Sequence, residues 1–344
     1  PKPLKIYLLV GQSNMQGHAA ERTLEHLGMD PKTAPLLKAI RNADGTAKVQ
    51  KDVWISSIEP SLESGEKHGR LTVGYGAGGR GPKIGPELTF GITMQNHVGE
   101  PILLIKTSWG GKSLNTDFRP PSAGPYEFNQ QQLENFKKRG KDVAEARKEK
   151  TERTGVYYRL MLEHIHKVLA DIRRVYTDYD AKAGYELAGF VWFQGWNDMY
   201  NGFQDEYAAN MKHFIRDVRK DLAKPDLPFA IGIMGQNGFK PAKGNMAIVK
   251  AAQASMNDVP EFAGNVRAIP TDVYWDKRAD AAFPTWRENV AEWKKIGSDF
   301  PYHYLGSTIT FTKIGRALGQ AIQGSSFLHV GQTGLPSANC PACK

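Results

Sequence analysis

The sequence lacks long apolar runs and is poor in cysteine, and both features narrow the kind of protein it encodes. No stretch of its 344 residues reaches the roughly 18 consecutive apolar residues that a membrane-spanning helix needs, so we predict no membrane span. The 339 residues that precede the first cysteine contain no thiol, which is typical of exported proteins. The first residue is Pro1 and no leader precedes it, as after removal of a signal peptide or trimming of the chain. We expect a periplasmic or extracellular location.

The two cysteines, Cys340 and Cys343, form a CxxC pair within the last five residues. Such a pair occurs in redox motifs and as half of a zinc site. A redox motif begins a helix after a strand, and a zinc site needs two more ligands; the sequence shows neither. We therefore expect a local disulfide, or a tail that ends before another module.

Several catalytic motifs are also missing. There is no HExxH, and His164 and His166 stand two apart in a helix-like stretch, so they cannot bind one ion together. The GGKS sequence at 110–113 resembles a phosphate-binding loop, but the first glycine of that motif is replaced by Lys106. The GxSxG turn of α/β-hydrolases is absent as well. We predict no metal, no cofactor and no nucleotide.

The charge of the chain is positive but scattered. The formal net charge is +9, and the basic residues are densest at 137–153, where acidic residues are interleaved with them. Opposite charges at three- and four-residue spacing are typical of a solvated helix. No aromatic residues alternate with the basic ones and no nucleic-acid-binding motif accompanies them, so we predict no nucleic-acid partner.

Apolar strand-like runs alternate with helix-like stretches along the chain. The predicted strands are 4–10, 102–107, 187–193, 228–234 and 264–269, and the predicted helices are 87–98, 155–176, 204–222, 244–257 and 311–323. This alternation predicts an α/β fold, a three-layer α/β/α sandwich with a central, mainly parallel sheet. We interpret 1–330 as a single domain with insertions at about 17–86 and 112–154, followed by a tail at 331–344.

Ser13 follows the first predicted strand directly, in the sequence Gly11-Gln12-Ser13-Asn14. A polar residue in that position lies at the carboxyl edge of a parallel sheet, where open α/β folds place their sites. Taken alone, Ser13 is more readily interpreted as a helix cap, because Gln16 follows it at the spacing of a capping box. As a nucleophile it would benefit from the unpaired N–H groups at the start of a helix.

Three further blocks follow other predicted elements. Gly110 and Gly111 come after the strand at 102–107, where they form either a simple tight turn or a close approach of backbone N–H to a ligand. Asn197 comes after the strand at 187–193 and offers an amide donor. Together with a serine, these donors would make up an oxyanion hole. His303 lies in a turn-rich loop before the last helix, with Asp299 just upstream.

Taken together, these four blocks resemble those of the SGNH, or GDSL-like, hydrolases, whose fold is flavodoxin-like. The GQSNM start, the WGG turn, the FQG run before Trp196 and the His-Tyr-x-Gly-Ser stretch look most like the sialate O-acetylesterase-like branch of carbohydrate acetylesterases. The resemblance implies a serine esterase with Ser13 as nucleophile and His303 as base, acting on an acetylated carbohydrate. It implies an oxyanion hole made of Ser13, Gly110, Gly111 and Asn197.

The chain departs from the family pattern at two positions. The catalytic acid of the family usually lies three residues before the histidine, where this chain has Phe300; Asp299 lies four before it. Either the loop still carries the Asp299 carboxylate to the imidazole, or the enzyme works with a Ser–His dyad that is supported by a carbonyl or by another acid. Many members of the branch have Glu after the Gln-Gly pair, where this chain has Trp196.

The residues expected to contact the substrate adjoin these blocks: Gln12, Trp109, Gln194 and Trp196. Two other functions remain open from sequence. One is a carbohydrate-binding protein that has kept the fold without catalysis, and the other is a lipase or thioesterase on the same scaffold. The polar, glycine-rich segments at 17–86 and 112–154 favour a hydrophilic substrate over a lipid.

Overall fold

A computed structural model describes residues 2–327 of the chain, so Cys340 and Cys343 lie outside the described residues. The described strands are β1 (Leu4–Gly11), β2 (Ala19–Ala20), β3 (Val53–Ile58), β4 (Glu66–Arg70), β5 (Lys83–Ile84), β6 (Ile102–Ser108), β7 (Tyr185–Phe193), β8 (Phe229–Ile233) and β9 (Val266–Pro270). The described α-helices are α1 (Ser13–Gln16), α2 (Ala34–Ile40), α3 (Glu87–Val98), α4 (Gln130–Lys138), α5 (Val143–Arg153), α6 (Val156–Ala170), α7 (Tyr207–Asp221), α8 (Gly244–Ala254), α9 (Lys277–Ala282), α10 (Val290–Ile296) and α11 (Thr308–Phe327). Short 3₁₀ turns connect several of them.

Seven strands form one sheet in the order β4-β3-β6-β1-β7-β8-β9, and β2 pairs with β5 in a separate small ribbon. All neighbours in the large sheet are parallel except β3 and β4, which are antiparallel. Without β3 and β4, the strand order is second, first, third, fourth, fifth, which is the flavodoxin-like order. The predicted three-layer α/β fold is confirmed.

Helices cover both faces of the sheet because the buried strands are apolar on both sides. In β1, Ile6 and Leu8 face one apolar cluster together with α6, α7 and α8, while Tyr7 and Leu9 face a second cluster with α3 and α11. Both clusters are closed to solvent. The sheet therefore forms the middle of three layers, and its strands are held rigidly between them.

All five strands predicted from the sequence are present, with bounds that differ by at most two residues. The helix predicted at 155–176 ends at Ala170, and the solvated helix expected within 137–153 is instead two helices, α4 and α5, that are separated around Gly140. The strands β3 and β4 were not predicted. They lie inside the segment 17–86 and extend the sheet at one edge. No helix within residues 2–327 is long and apolar enough to cross a membrane.

The register of the sheet sets the position of the site. Gly11 at the end of β1 pairs with Ser108 of β6 on one side and with Phe193 of β7 on the other. The three strands therefore end level with one another, and the residues that follow them leave the sheet at the same edge. Because the chain winds from β1 to one side and later to the other, this edge is also the topological switch point, where ligands bind in open α/β folds.

Candidate active site

Ser13 lies at the start of α1, directly beyond the end of β1. The chain turns tightly there: a Cβ at Gly11 would lie 2.1 Å from the carbonyl oxygen of Phe193, so only glycine lets β1 and β7 approach this closely. The capping alternative is not realised, because the N-cap residue of α1 is Gln12 and no side chain caps the helix. The backbone N–H of Ser13, as the first of the helix, has no partner within it.

A cavity of about 370 Å³ opens at this edge of the sheet. Its lining brings together all the residues predicted for the nucleophile, the base and the oxyanion hole: Ser13, Gly110, Gly111, Asn197 and His303. Three residues that the sequence analysis did not single out as site residues, Gln16, His18 and Tyr302, also line it. Two larger cavities, of about 420 and 590 Å³, lie away from these residues, around the start of β7.

Asp299 reaches His303 in spite of its unusual spacing. The Nδ1 atom of His303 lies 3.1 Å from Oδ2 of Asp299, and the backbone N–H of Phe300 donates to Oδ1 at 2.7 Å. Burial by itself would raise the pKa of the Asp299 carboxyl, but hydrogen bonds from His18 and His303 outweigh it and hold the pKa below its ordinary value. The carboxylate is therefore charged at neutral pH. Within residues 2–327, Ser13 Oγ makes no hydrogen bond, and such catalytic contacts often tighten only when substrate binds.

An unusual backbone turn presents His303 to the cavity. The next two residues, Tyr304 and Leu305, have φ angles of 51° and 60°, in the left-handed region that non-glycine residues rarely adopt. The buried hydroxyl of Tyr304 accepts a hydrogen bond from the N–H of Gly235 at 2.8 Å and pairs with Thr271 Oγ1 at 2.6 Å. These contacts hold the turn in place and offset its strain.

Asn197 is oriented by Gln12. Gln12 Nε2 donates to Asn197 Oδ1 at 2.9 Å, and Gln12 Oε1 accepts from the N–H of Gly195 at 3.0 Å. With its oxygen engaged by Gln12, the Asn197 amide has its two N–H donors left for another acceptor. Gln12 was predicted to contact substrate. Although it borders the cavity, its amide is committed to the protein and it is only 2% exposed.

Asp198, the residue after Asn197, connects two of the loops that follow the strands of the sheet. It is fully buried and accepts hydrogen bonds from the N–H groups of Leu114 and Asn115, each at 2.8 Å, and from Gln194 Nε2 at 2.6 Å. Burial raises the pKa of its carboxyl to about 6, against the effect of these donors. The interaction joins the loop after β7 to the loop after β6, which carries Gly111.

Three other side chains were expected to contact substrate, and they differ in whether they border the cavity: Trp196, Trp109 and Gln194. Trp196 lines the cavity and packs against Tyr302, with ring centroids 6.2 Å apart. Trp109 packs against Tyr157 with ring centroids 5.1 Å apart and is not part of the cavity lining. Gln194 is buried, and its amide bonds to Asp198 and to the Lys112 carbonyl. Of these three side chains, Trp196 alone borders the cavity.

A second, polar cavity of about 480 Å³ adjoins the first, and Gly111 and Asn197 line both. Its other polar lining residues are Ser113, Thr116, Asp117, Gln132, Lys150, Arg153, Tyr200 and Asn201. Hydroxyl, amide and charged groups of this kind bind the hydroxyls of a hydrophilic ligand.

The turn that carries Ser13 is tied to the rest of the protein by a buried cation. Lys106 Nζ donates to the carbonyl of Gln16 at 2.8 Å, to the carbonyl of Tyr75 at 2.7 Å and to Glu87 Oε2 at 2.8 Å. Both charged side chains are at most 1% exposed. Burial lowers the pKa of Lys106, which Glu87 counteracts. Lys106 is the residue that replaces the first glycine of the phosphate-loop pattern. In this structure it holds the segments around Gln16, Tyr75 and Glu87 together.

His18, Asp299 and His303 bring three potential metal-binding atoms within 4.8 Å of one another. The two imidazoles are stacked, with centroids 3.7 Å apart and planes 11° from parallel. An imidazole binds a metal along its nitrogen lone pair, in the plane of the ring, at about 2.0–2.1 Å. Two nearly parallel stacked rings cannot both direct their lone pairs at one ion at that distance, so the cluster does not fit a metal centre.

The fold and the site define a class of protein: an α/β sandwich with a serine, a hydrogen-bonded histidine–aspartate pair, two glycines and an asparagine amide at the switch point of its sheet. A family model described as a carbohydrate esterase, sialic acid-specific acetylesterase, matches residues 3–273. The chain belongs to this family. The matched range contains the blocks with Ser13, Gly110 and Asn197, and ends before Asp299 and His303.

Solved structures are similar to this chain at low sequence identity. A protein from Arabidopsis thaliana has a TM-score of 0.50 and 16% identity, over 93% of this chain and 98% of that one. A carbohydrate acetylesterase from Xanthomonas citri has a TM-score of 0.52 and 14% identity, over 94% of this chain and 56% of that one. The chain thus spans little more than half of the Xanthomonas protein, and at this identity both likenesses show the fold. NanS has a TM-score of 0.46 and 10% identity, over 80% of this chain and 79% of that one. A search of curated sequences finds no match.

Proposed function

We propose that this protein is a serine esterase that removes O-acetyl, or other short acyl, groups from carbohydrates through an acyl-enzyme. One observation carries the proposal: Ser13, the Asp299-bonded His303 and the predicted oxyanion donors line one cavity at the switch point of the sheet. Membership of a carbohydrate esterase family supports the same chemistry.

In this mechanism His303 Nε2 takes the proton of Ser13 Oγ as the oxygen attacks the ester carbonyl. The negative oxygen that forms is held by the N–H of Ser13, by the N–H of Gly110 or Gly111 and by the Asn197 amide. The imidazolium, stabilised by Asp299, then gives its proton to the departing sugar hydroxyl, which leaves an acetyl group bonded to Ser13. Water, deprotonated by His303, attacks that acyl-enzyme and releases acetate.

The surroundings favour a hydrophilic substrate. The cavity at Ser13 has room for a small acyl group, and the adjoining cavity presents polar and charged side chains, including Lys150 and Arg153. Trp196 and Tyr302 offer aromatic surface at the entrance, against which the apolar face of a sugar ring packs. A lipase would need an extended apolar surface there instead. We further propose that the protein is exported, which fractionation of the producing cells tests.

The test is acetate release by Ser13→Ala. The variant is expected to lose activity on 4-nitrophenyl acetate and on acetylated xylan, pectin or sialic acids, with its melting temperature nearly unchanged, because Ser13 Oγ makes no hydrogen bond in the described part of the chain. Ser255→Ala is the matched control, since Ser255 Oγ bonds only to its own helix turn at Ala252. Full activity of Ser13→Ala, or binding of acetylated sugars by the wild type without turnover, would overturn the proposal.

A further inference from the structure

One carboxylate oxygen at the site serves two imidazoles. Oδ2 of Asp299 lies 3.1 Å from Nδ1 of His303 and 3.2 Å from Nδ1 of His18. The two rings stack face to face, with centroids 3.7 Å apart and an angle of 11° between their planes. His18 therefore contacts both members of the proposed catalytic pair, although nothing in its sequence position indicates such a role.

The position of His18 is fixed by its backbone. Ser298 Oγ accepts a hydrogen bond from the N–H of Ala20 at 3.0 Å and lies 3.2 Å from the His18 carbonyl oxygen, so the segment before Asp299 is joined to the segment around His18. The preceding residue, Gly17, has a φ angle of 92°, and a Cβ there would lie 2.1 Å from Gly85. The turn that carries His18 is thus specified by the local packing, and its side chain is only 15% exposed.

The shared carboxylate also sets the tautomers. An ionised carboxylate can only accept hydrogen bonds, so His303, which is hydrogen-bonded to it, carries its proton on Nδ1, and we expect the same of His18, whose Nδ1 faces the same oxygen at 3.2 Å. This leaves the Nε2 lone pair of His303 free to act as a base. His18 Nε2 is buried and has no hydrogen-bond partner among the described residues. Burying a nitrogen without a hydrogen-bond partner costs free energy of folding. Such unpaired groups are found where a side chain is held in place for function.

The charges around the pair favour one cation over two. Burial lowers the pKa of His18; Asp299 raises it, while His303 and Lys83 lower it further. Tyr302 packs edge-on against His303, with centroids 4.6 Å apart, and carries no charge at neutral pH. Two stacked imidazolium rings would repel each other, so a proton taken up during the reaction resides on His303 while His18 stays neutral.

We infer that His18 is a positioning residue for the base of this esterase: it shares Asp299 with His303 and stacks on the His303 ring, which fixes the orientation of that ring toward Ser13. This role rests on the proposed function. It assigns His18 no contact with the reacting atoms.

Two substitutions separate the contributions of the ring and the N–H. His18→Phe keeps a stacking ring and removes the donor to Asp299. His18→Asn keeps a donor close to the position of Nδ1 and removes the ring. His164→Asn is the matched control, because His164 is also a buried histidine, bonded to Ser56 of β3 and outside the lining of the cavity.

We expect both His18 variants to lower kcat by about 10- to 100-fold, as misplaced catalytic groups do, with KM changed less than about threefold. In His18→Phe, Asp299 has one donor fewer and interacts more strongly with His303, so the acid limb of the kcat/KM profile should move up by about 0.5–1 pH unit. His18→Asn should leave this limb close to its wild-type position, and His164→Asn should change neither kcat nor the limb. An acid limb that does not move in His18→Phe, or a wild-type kcat in either His18 variant, would overturn the inference.

A nuclear magnetic resonance experiment separates this inference from the esterase proposal. In protein with ¹⁵N-labelled histidine, the Nδ1–H signals of His18 and His303 should both be present, and both should shift in Asp299→Asn. His18→Phe should remove one signal and move the other. If the His303 signal has the same chemical shift in His18→Phe as in the wild type, the positioning role is overturned, even if the protein is a serine esterase. If Ser13→Ala is active and both signals still shift in Asp299→Asn, the serine mechanism is overturned. The sharing of the Asp299 carboxylate by His18 and His303 is then still supported.

Discussion

The bond between Gln12 and Asn197 allows a sharp test of the proposed oxyanion hole. Gln12→Glu replaces the Nε2 donor with an oxygen that faces Asn197 Oδ1, while its other oxygen still accepts from Gly195. Two oxygens repel each other at that distance, so the Asn197 amide turns over and offers its NH₂ group to the introduced carboxylate. The amide oxygen then faces the site where the negative charge develops. The donor becomes an acceptor.

The structure gives the expected size of the effect. Loss of one oxyanion donor costs roughly 10²–10³ in turnover, and this loss should be reached by Asn197→Ala and by Gln12→Glu alike. Gln12→Ala removes the bond that orients the amide, worth about 0.5–1.5 kcal/mol, which corresponds to about 2- to 10-fold in kcat. It also removes the acceptor of the Gly195 N–H, a loss that should lower the melting temperature. The three variants should therefore fall in two groups.

The assay is kcat on 4-nitrophenyl acetate, with the melting temperature measured in parallel. Gln50→Glu is the matched control: Gln50 is a partly buried glutamine whose Nε2 donates to the carbonyl of Ala39 at 3.0 Å, and it does not line the cavity at Ser13. It should lose stability as Gln12→Glu does, yet keep kcat within about threefold, since it orients no oxyanion donor. The reasoning fails if Gln12→Glu turns over like the wild type, or if adding it to Asn197→Ala lowers kcat by roughly another 10²-fold, because the two changes act on one group.

Three other substitutions test separate parts of the structure. Asp299→Asn should lower kcat by roughly 10²-fold or more at neutral pH, and a loss under about tenfold would favour a Ser–His pair without an acid. Because the pKa of Asp299 is lower in the folded protein, its contribution to stability is present above about pH 4 and lost as the pH falls, so the melting temperatures of wild type and Asp299→Asn should converge in acid. Lys106→Met leaves Glu87 buried without its partner and should destabilise the fold by about 3–5 kcal/mol in urea titrations, whereas an unchanged midpoint would refute the importance of that pair. Gly306→Ala places a Cβ 2.2 Å from Ser298 Oγ at a φ angle of 57° and should lower both stability and activity; normal values of both would contradict the strained turn.

The sequence predicts those parts of the protein that depend on local patterns. The strands next to Ser13, Gly110 and Asn197 are continuous apolar runs, so their positions and the common edge where they end could be inferred. The same patterns led to a parallel sheet covered on both faces. The placement of His303 at this edge came from its order among the blocks, and the cavity lining agrees with it.

Other parts depend on contacts that no local pattern records. The strand Glu66–Arg70 consists mainly of charged and polar residues, since it lies at the edge of the sheet and is half exposed, and it was therefore included in an insertion. Asp299 reaches His303 across four positions because the chain between them turns through a 3₁₀ segment that begins at Pro301, a conformation that the sequence does not indicate. His18 was missed because its partners are about 280 residues away.

The buried Lys106–Glu87 pair has a consequence for the order in which the molecule matures during refolding. The ammonium group that holds the Gln16 carbonyl is satisfied only after Tyr75 and Glu87 have also reached it. Until then, burying the cation carries an uncompensated desolvation cost. We therefore expect the turn at Ser13 to be completed late, after the chain between residues 17 and 86 has docked, so that recovery of esterase activity trails recovery of helical content. A refolding chain that has native circular dichroism would, for a time, lack the turn that places Ser13, the proposed nucleophile.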